Sequence, residues 1–248
     1  MPSATIIGSP ISPYVRKVLA ACEWKGVEWK IDPIVPFFGS DEFSTISPLR
    51  RIPVYRDDLV ELCDSSVICQ YLEDRWPSPA LYPADLATRA KARWIEEYAD
   101  TRVADVFVWK LFNDSVISPA VFGSERDKAL REKAIAEDLP VILDYLDSAL
   151  GAEGFLAGDL GIADLSVAPH FANLGWARVR PDWGRWPRLQ SWLERTVEGS
   201  ALARLDRLAA ELLATPIPAQ RGRLEELGVA VTPTTLGVER PRKGPMSH

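Results

Sequence analysis

The stretch Gly8-Ser9-Pro10-Ile11-Ser12-Pro13-Tyr14-Val15-Arg16-Lys17-Val18 most constrains what this chain can fold into. Before it, Thr5-Ile6-Ile7 reads as a short buried strand. After it, Val15, Val18, Leu19 and Cys22 recur at i, i+3, i+4 and i+7, the apolar face of a helix. Lys25-Gly26 stops that helix. Ser12 therefore falls where a strand ends and a helix begins, with Pro13 at a first helical position. Backbone N–H groups and the positive end of the helix dipole gather there, a setting that suits an anion or a thiolate. A serine that only caps its helix satisfies the same pattern.

The next segments keep alternating. Val27–Ile31 changes polarity with period two, a half-buried strand. Pro33–Phe43 is loop-like and carries Phe37 and Phe38, and a short helix is expected at Ser40–Thr45. Ile52–Arg56 and Asp58–Leu62 read as an antiparallel hairpin turning at Asp57. Asp64-Ser65-Ser66 caps a helix whose inner face holds Val67, Ile68, Tyr71 and Leu72. The order is βαβ, then ββα. From Pro83 strand signals vanish. Helices are expected from Thr88 to about Asn113, from Ser124 to about Leu150 with a kink at Pro140, and at Gly161–Leu174, Pro187–Glu198 and Ser200–Leu213.

These patterns predict an α+β N-terminal domain with a mixed four-stranded sheet at 1–79, a linker at 80–86, an all-α helical bundle at 87–214 and an extension at 215–248. The extension is rich in Pro, Gly and Thr, and its composition reads as a loose tail. Only Arg223–Leu227 hints at a turn of helix.

The charge of the 248 residues, −6, argues against nucleic acid as a partner. No apolar run approaches the ~20 residues of a membrane span, and no secretory signal is expected at the start of the chain. Cys22, Cys63 and Cys69 are odd in number and fall within expected elements, so they read as reduced core thiols of a cytoplasmic protein. His170 and His248 are far apart, and no metal site is expected. His170 beside Pro169 reads as a packed histidine.

Four features of the first domain carry chemistry. Ser12 is one. Arg51-Ile52-Pro53-Val54 is the second: a proline opening a strand cannot donate to the sheet, and a cis peptide there leaves the Val54 backbone facing a cleft. Asp64-Ser65, at a helix start, offers N–H groups, a hydroxyl and a carboxylate. Arg51, or Arg50, adds a cation. Together they suit an extended zwitterionic peptide, paired as a strand at Val54, with one carboxylate at Ser65, an ammonium at Asp64 and a second carboxylate at Arg51.

On these residues the chain resembles the cytosolic glutathione S-transferases, serine-type and tau- or theta-like, over roughly Thr5 to Leu213. Ser12-Pro13-Tyr14 stands where that family carries its catalytic serine. Ser47-Pro48-Leu49-Arg50-Arg51-Ile52-Pro53-Val54 is similar to its Asn-Pro-x-x-Lys-Ile-Pro-Val run. Asp64-Ser65-Ser66-Val67-Ile68-Cys69-Gln70-Tyr71-Leu72 is similar to its Glu/Asp-Ser-x-x-Ile-x-x-Tyr-Leu signature. Gly158–Asp164 resembles its Gly-x-x-Ser/Thr-x-Ala-Asp, with Gly161 in place of the usual hydroxyl cap and Asp164 expected to fold back on the helix start.

The resemblance implies a thioredoxin-like first domain, glutathione as co-substrate, no metal, and a homodimer. It implies that Ser12 donates to the glutathione sulfur, with Ser9 as the main rival and Tyr14 pointing into the core. Glutathione would be held by Arg51, Ile52, Pro53, Val54, Asp64 and Ser65. The pocket for an apolar electrophile would draw on Ile11, Phe37, Phe38, Phe107 and Phe112. Conjugation, dehalogenation, ether cleavage and isomerisation share this first half of the mechanism. A peroxidase or reductase, or a non-catalytic interaction module on the same fold, is the alternative.

Overall fold

The computed structural model describes residues 3–151 and 154–242. They fall into two compact units. One takes the described residues through Pro79 and again from Ala203 onward, and the other is Ala80–Leu202.

The first unit holds a four-stranded sheet in the order β2-β1-β3-β4, with β1 Ser3–Ile7, β2 Glu28–Asp32, β3 Val54–Arg56 and β4 Glu61–Cys63. β1 runs parallel to β2, with Ser3 opposite Glu28 and Ile7 opposite Asp32. β3 is antiparallel to both β1 and β4, pairing Val54 with Ile7 on one side and Cys63 on the other. Helices α1 (Pro13–Trp24) and α3 (Ser65–Arg75) pack together, and the short α2 (Asp41–Ile46) follows the Pro36–Phe38 turn. This is the expected thioredoxin-like βαβ-ββα arrangement. Ile7, Ile34, Phe43 and Val54 form one buried cluster. Gly8 ends β1 at φ +146, where a Cβ would come within 2.8 Å of both Ile52 and Val15. Only glycine lets the chain turn from strand to loop that close to its neighbours.

The second unit is helical: α4 Leu86–Tyr98, α5 Ser118–Phe122, α6 Lys128–Lys133, α7 Leu139–Ala149, α8 Ile162–Trp176 and α9 Pro187–Glu198. The long helix expected from Thr88 does not keep α geometry. Past Tyr98 it widens into π turns over Ala99–Val103 and Asp105–Ile117, and α6 passes into α7 through a third such segment, Ala134–Asp138. Pro140 falls directly after that widening, where the ladder is already interrupted and a missing N–H breaks fewer α-helical bonds. Gly161 has a spatial reason: a Cβ there would meet the Leu81 carbonyl oxygen at 2.8 Å. Asp164, wholly buried, accepts the Gly161 N–H at 3.1 Å, the Leu156 N–H at 3.0 Å and the Trp192 indole N–H at 2.7 Å.

The chain after Leu202 departs most from expectation. α10 (Leu202–Leu213) groups with the sheet unit rather than closing the helical one, and the extension is ordered through its described part. Arg16 of α1, wholly buried, pairs with Asp206 of α10 at 2.8 Å. After α11 (Gln220–Glu226) the chain runs beside the exposed edge of β2. Ile31 N–H donates to Ala230 and Thr232 N–H to Ile31, at 2.9 and 3.0 Å, bridging Ile31 and Val231 in parallel. Further on, Ser40 N–H donates to Leu236, Val238 N–H to Phe38 and Arg242 N–H to Phe37. The composition, rich in Pro, Gly and Thr, reads as a loose tail. Backbone pairing to an open edge requires no large apolar residues, and Leu236 adds a side chain packed against the buried cluster.

Candidate active site

The Ser12 turn is built as the sequence dictates. Ser12 caps α1 with extended backbone, φ −72 and ψ 129, and Pro13 opens the helix. The Ser12 hydroxyl oxygen receives the Val15 N–H at 3.5 Å, a long and weak contact, and the side chain is half-buried. Ser9, the rival, is 2% exposed with its oxygen 3.4 Å from the Ile11 N–H. Ser12 is thus the more accessible hydroxyl. Tyr14 is half-buried rather than pointing wholly into the core. The turn is held from behind by Arg16, whose guanidinium donates to the carbonyls of Pro10 at 2.8 Å and Ile11 at 3.0 Å. Burial lowers the Arg16 pKa to about 10, opposed by the Asp206 charge. The side chain stays cationic at neutral pH.

The Ile52–Pro53 peptide is cis. Pro53 precedes β3, an interior strand of the sheet. The proline is tolerated because it stands just ahead of the paired residues, which begin at Val54. Ile52 is half-buried, and Pro53 and Val54 are buried. Arg50 and Arg51 separate cleanly. Arg50, at φ +51, spends its guanidinium on the carbonyls of Gly39 (2.8 Å), Pro36 and Ser40 and on the Ser44 hydroxyl, and so pins the Phe37–Phe38 loop. Arg51 is exposed, its backbone tied to the Ser47 hydroxyl.

Asp64 caps α3 from a positive φ of 74, accepting the N–H groups of Ser66 at 2.9 Å and Val67 at 3.2 Å. A non-glycine residue there is costly backbone geometry, a feature that concentrates at functional positions. Ser65, the first helical residue, is 4% exposed. Lys17 of α1, 1% exposed, reaches this helix start and donates to the Ser66 hydroxyl at 2.9 Å and the Ser65 hydroxyl at 3.3 Å. Ser12 and Ser65 thus lie at the N-termini of two helices packed side by side, and both termini favour negative charge.

Of the residues expected at an electrophile pocket, Ile11 and Phe37 are nearly buried and Phe38 is half-exposed, all in the sheet unit. Phe107 and Phe112 belong to the helical unit. Both are core residues there, Phe107 edge-on to Phe171 at 5.3 Å and Phe112 against Trp176 at 6.0 Å. Apolar burial there wins over pocket lining, a distinction periodicity cannot make. A cavity of about 710 Å3, bordered by Leu150, Pro187, Arg188 and Arg195, lies within the helical unit and includes no residue of the Ser12 turn.

The thiols are inert. Cys22 and Cys69 are wholly buried, and Cys63 donates to the Ile46 carbonyl at 2.7 Å. Burial pushes the Cys22 and Cys63 pKa values up, so neither favours a thiolate. His170 is 1% exposed with its Nδ1 3.0 Å from the Ser166 carbonyl. No cluster of His, Cys, Asp or Glu among the described residues has metal-binding geometry. No helix among the described residues is long and apolar enough to cross a membrane.

Sequence reasoning missed Arg16 and Lys17 as buried residues. The available signal was their placement between Val15 and Val18: a helix flanked on several sides draws its charged residues inward too.

Residues 6–80 match the sequence model of a family described as glutathione S-transferase, N-terminal domain. The chain is 29% identical over 168 residues to the maleylacetoacetate isomerase of Rattus norvegicus, covering 62% of this chain and 74% of that protein. It is 26% identical over 194 residues to a glutathione S-transferase of Hyoscyamus muticus, covering 75% and 89%. Among solved structures it superposes, at TM-score 0.70 and 28% identity over 82% of this chain and 97% of the other, on the theta class glutathione S-transferase from the citrus canker pathogen Xanthomonas axonopodis pv. citri with glutathione bound.

Proposed function

The chain belongs to the cytosolic glutathione S-transferase family, a family of enzymes, and from that premise we propose that it binds reduced glutathione across the Ser12 turn and the head of α3 and turns its thiolate on a small apolar electrophile. One observation supports this reading above the rest: the accessible Ser12 hydroxyl and the Asp64-Ser65 cap stand at the N-termini of two adjacent helices.

In this reading the γ-glutamyl end sits at α3. Its carboxylate meets the Ser65 N–H and hydroxyl, and its ammonium meets Asp64. The cysteinyl backbone lies along Val54, and Arg51 takes the glycine carboxylate. Thiols of this kind have a pKa of ~8.5 and are mostly protonated at neutral pH. The Ser12 hydroxyl donates to the sulfur, and the α1 dipole adds to it, so the thiolate gains population. The thiol proton leaves to solvent. The sulfur then forms a bond to the electrophilic carbon, and the leaving group departs with its electron pair. Ser12 forms no covalent bond, and among the described residues no base is hydrogen-bonded to it to make it a nucleophile. Ile11, Phe37 and Phe38 give the apolar wall that such a partner needs. A homodimer in the cytoplasm is part of the same proposal.

Isomerisation is the second reading, favoured by the similarity to proteins named maleylacetoacetate isomerase. There the thiolate adds to a conjugated cis-alkene and is expelled after rotation, so glutathione is not consumed.

Calorimetric titration with glutathione and its S-hexyl derivative tests the proposal. Binding of both, tighter for the hexyl form, is expected. Folded protein that binds neither at millimolar concentration overturns it. Glutathione consumption against turnover of a cis-alkene then separates substitution from isomerisation.

A further inference from the structure

We propose that Lys17 is a positioning residue for the carboxylate bound at the head of α3, acting through the hydroxyl of Ser65. The assignment rests on the glutathione reading above and deepens it.

Lys17 is 1% exposed, an unusual place for an ammonium. Its Nζ lies 2.9 Å from the Ser66 oxygen and 3.3 Å from the Ser65 oxygen. An ammonium has donors only, so in both contacts the hydroxyl is the acceptor. Ser65 then keeps its own proton for another partner. The charge-assisted bond also polarises the hydroxyl, making that proton a better donor.

The local cap narrows what is left to do. Asp64 already takes the N–H groups of Ser66 and Val67. The Ser65 N–H lies outside that cap, beside a hydroxyl whose oxygen faces Lys17. A carboxylate fits these two donors, with a positive charge behind them in a site of low dielectric. The α3 dipole has the same sign. The Lys17 ammonium is directed at the two serine hydroxyls, so its action on the ligand is relayed. Helical periodicity leaves this residue outside the apolar set of Val15, Val18, Leu19 and Cys22. Only the packing of α1 on α3 directs it to the helix start.

The test is a comparison of ligands, because a general loss of packing weakens all of them alike. Wild type and Lys17→Met are titrated with S-hexylglutathione, with its γ-glutamyl α-carboxamide, and with its glycine ethyl ester. Wild type is expected to prefer the free acid over the α-carboxamide by about tenfold or more, the range of a charge-assisted bond. In Lys17→Met that preference collapses toward unity, while the penalty for the glycine ester is unchanged.

Lys17→Gln, which keeps an N–H donor without the charge, is the second variant and shifts in the same direction should Lys17→Met fail to fold. A full preference retained in either folded variant overturns the role of Lys17 and leaves the glutathione site standing. Wild type that binds none of the three ligands overturns both.

Discussion

Asp32, at the end of edge strand β2, accepts the backbone N–H of Leu236 at 2.7 Å, joining residues 204 positions apart. The same carboxylate accepts the Thr235 hydroxyl at 2.8 Å and lies 3.4 Å from Arg221. Burial raises the Asp32 pKa, and these three partners pull it back. One carboxylate thus gathers three groups of the extension, which also seals the β2 edge by backbone pairing.

Truncation after Leu227 should expose that edge. An unpaired edge recruits other strands, so the shortened protein is expected to melt earlier and to self-associate by light scattering. Leu236→Ala, which leaves the backbone pairing intact, should cost about 2 kcal/mol, at the low end for a buried leucine because this one is only partly covered. A truncated protein as stable and monodisperse as the full chain would contradict the sealing role.

Ser12→Ala should lower kcat by roughly 10- to 100-fold, the value of one hydrogen bond to a charged group, with little change in the KM for glutathione. The pH midpoint of kcat should rise toward the ~8.5 of the free thiol. An unchanged midpoint with unchanged kcat would move the role to the backbone of the turn.

Asp64 combines a cap with an unfavourable backbone, and two substitutions separate them. Asp64→Ala loses the cap, a cost of ~1 kcal/mol, and keeps a Cβ at φ 74. Asp64→Gly loses the cap but relieves the backbone, so it should be the more stable by about 1 kcal/mol. Chemical denaturation ranks them, and the reverse order would show that the backbone at 64 is unstrained. Both variants should bind glutathione more weakly.

Asp57 predicts a pH dependence. Its side chain is almost wholly covered. Burial alone would raise its pKa, but the N–H groups of Leu59 and Val60 and the hydroxyls of Tyr71 and Tyr55 outweigh that and hold it at about 2. A depressed carboxylate stabilises the fold above its unfolded pKa of ~3.9. That contribution is lost as pH falls through the folded value. Thermal melts should show wild type losing stability between about pH 4 and pH 2. Asp57→Asn should be less stable at neutral pH and flatter across that acid range.

Much of the site is legible in the amino-acid order. Ser12-Pro13 announces a strand-to-helix turn through proline's fixed φ and serine's capping oxygen. Asp64-Ser65-Ser66 announces a helix start in the same way. These are local signals, written within four or five residues, and both turns form where those signals stand. Gly161, a departure from the family pattern, is explained only by the Leu81 carbonyl that a side chain would strike.

The rest depended on residues far apart in the chain. Arg16 and Lys17 look like ordinary surface charges, and both are buried because α1 is packed on more than one face. Phe107 and Phe112 have the composition of a pocket and the burial of a core. The sequence by itself determined the strand and helix order, the two caps and the position of Ser12, because hydrogen-bond capping and apolar periodicity act over a few residues. Only the tertiary structure decided that Lys17 backs the head of α3, that Arg50 pins a loop while Arg51 stays exposed, and that the extension closes the β2 edge. Those outcomes turn on which desolvated groups meet across long stretches of chain, and no local pattern encodes that meeting.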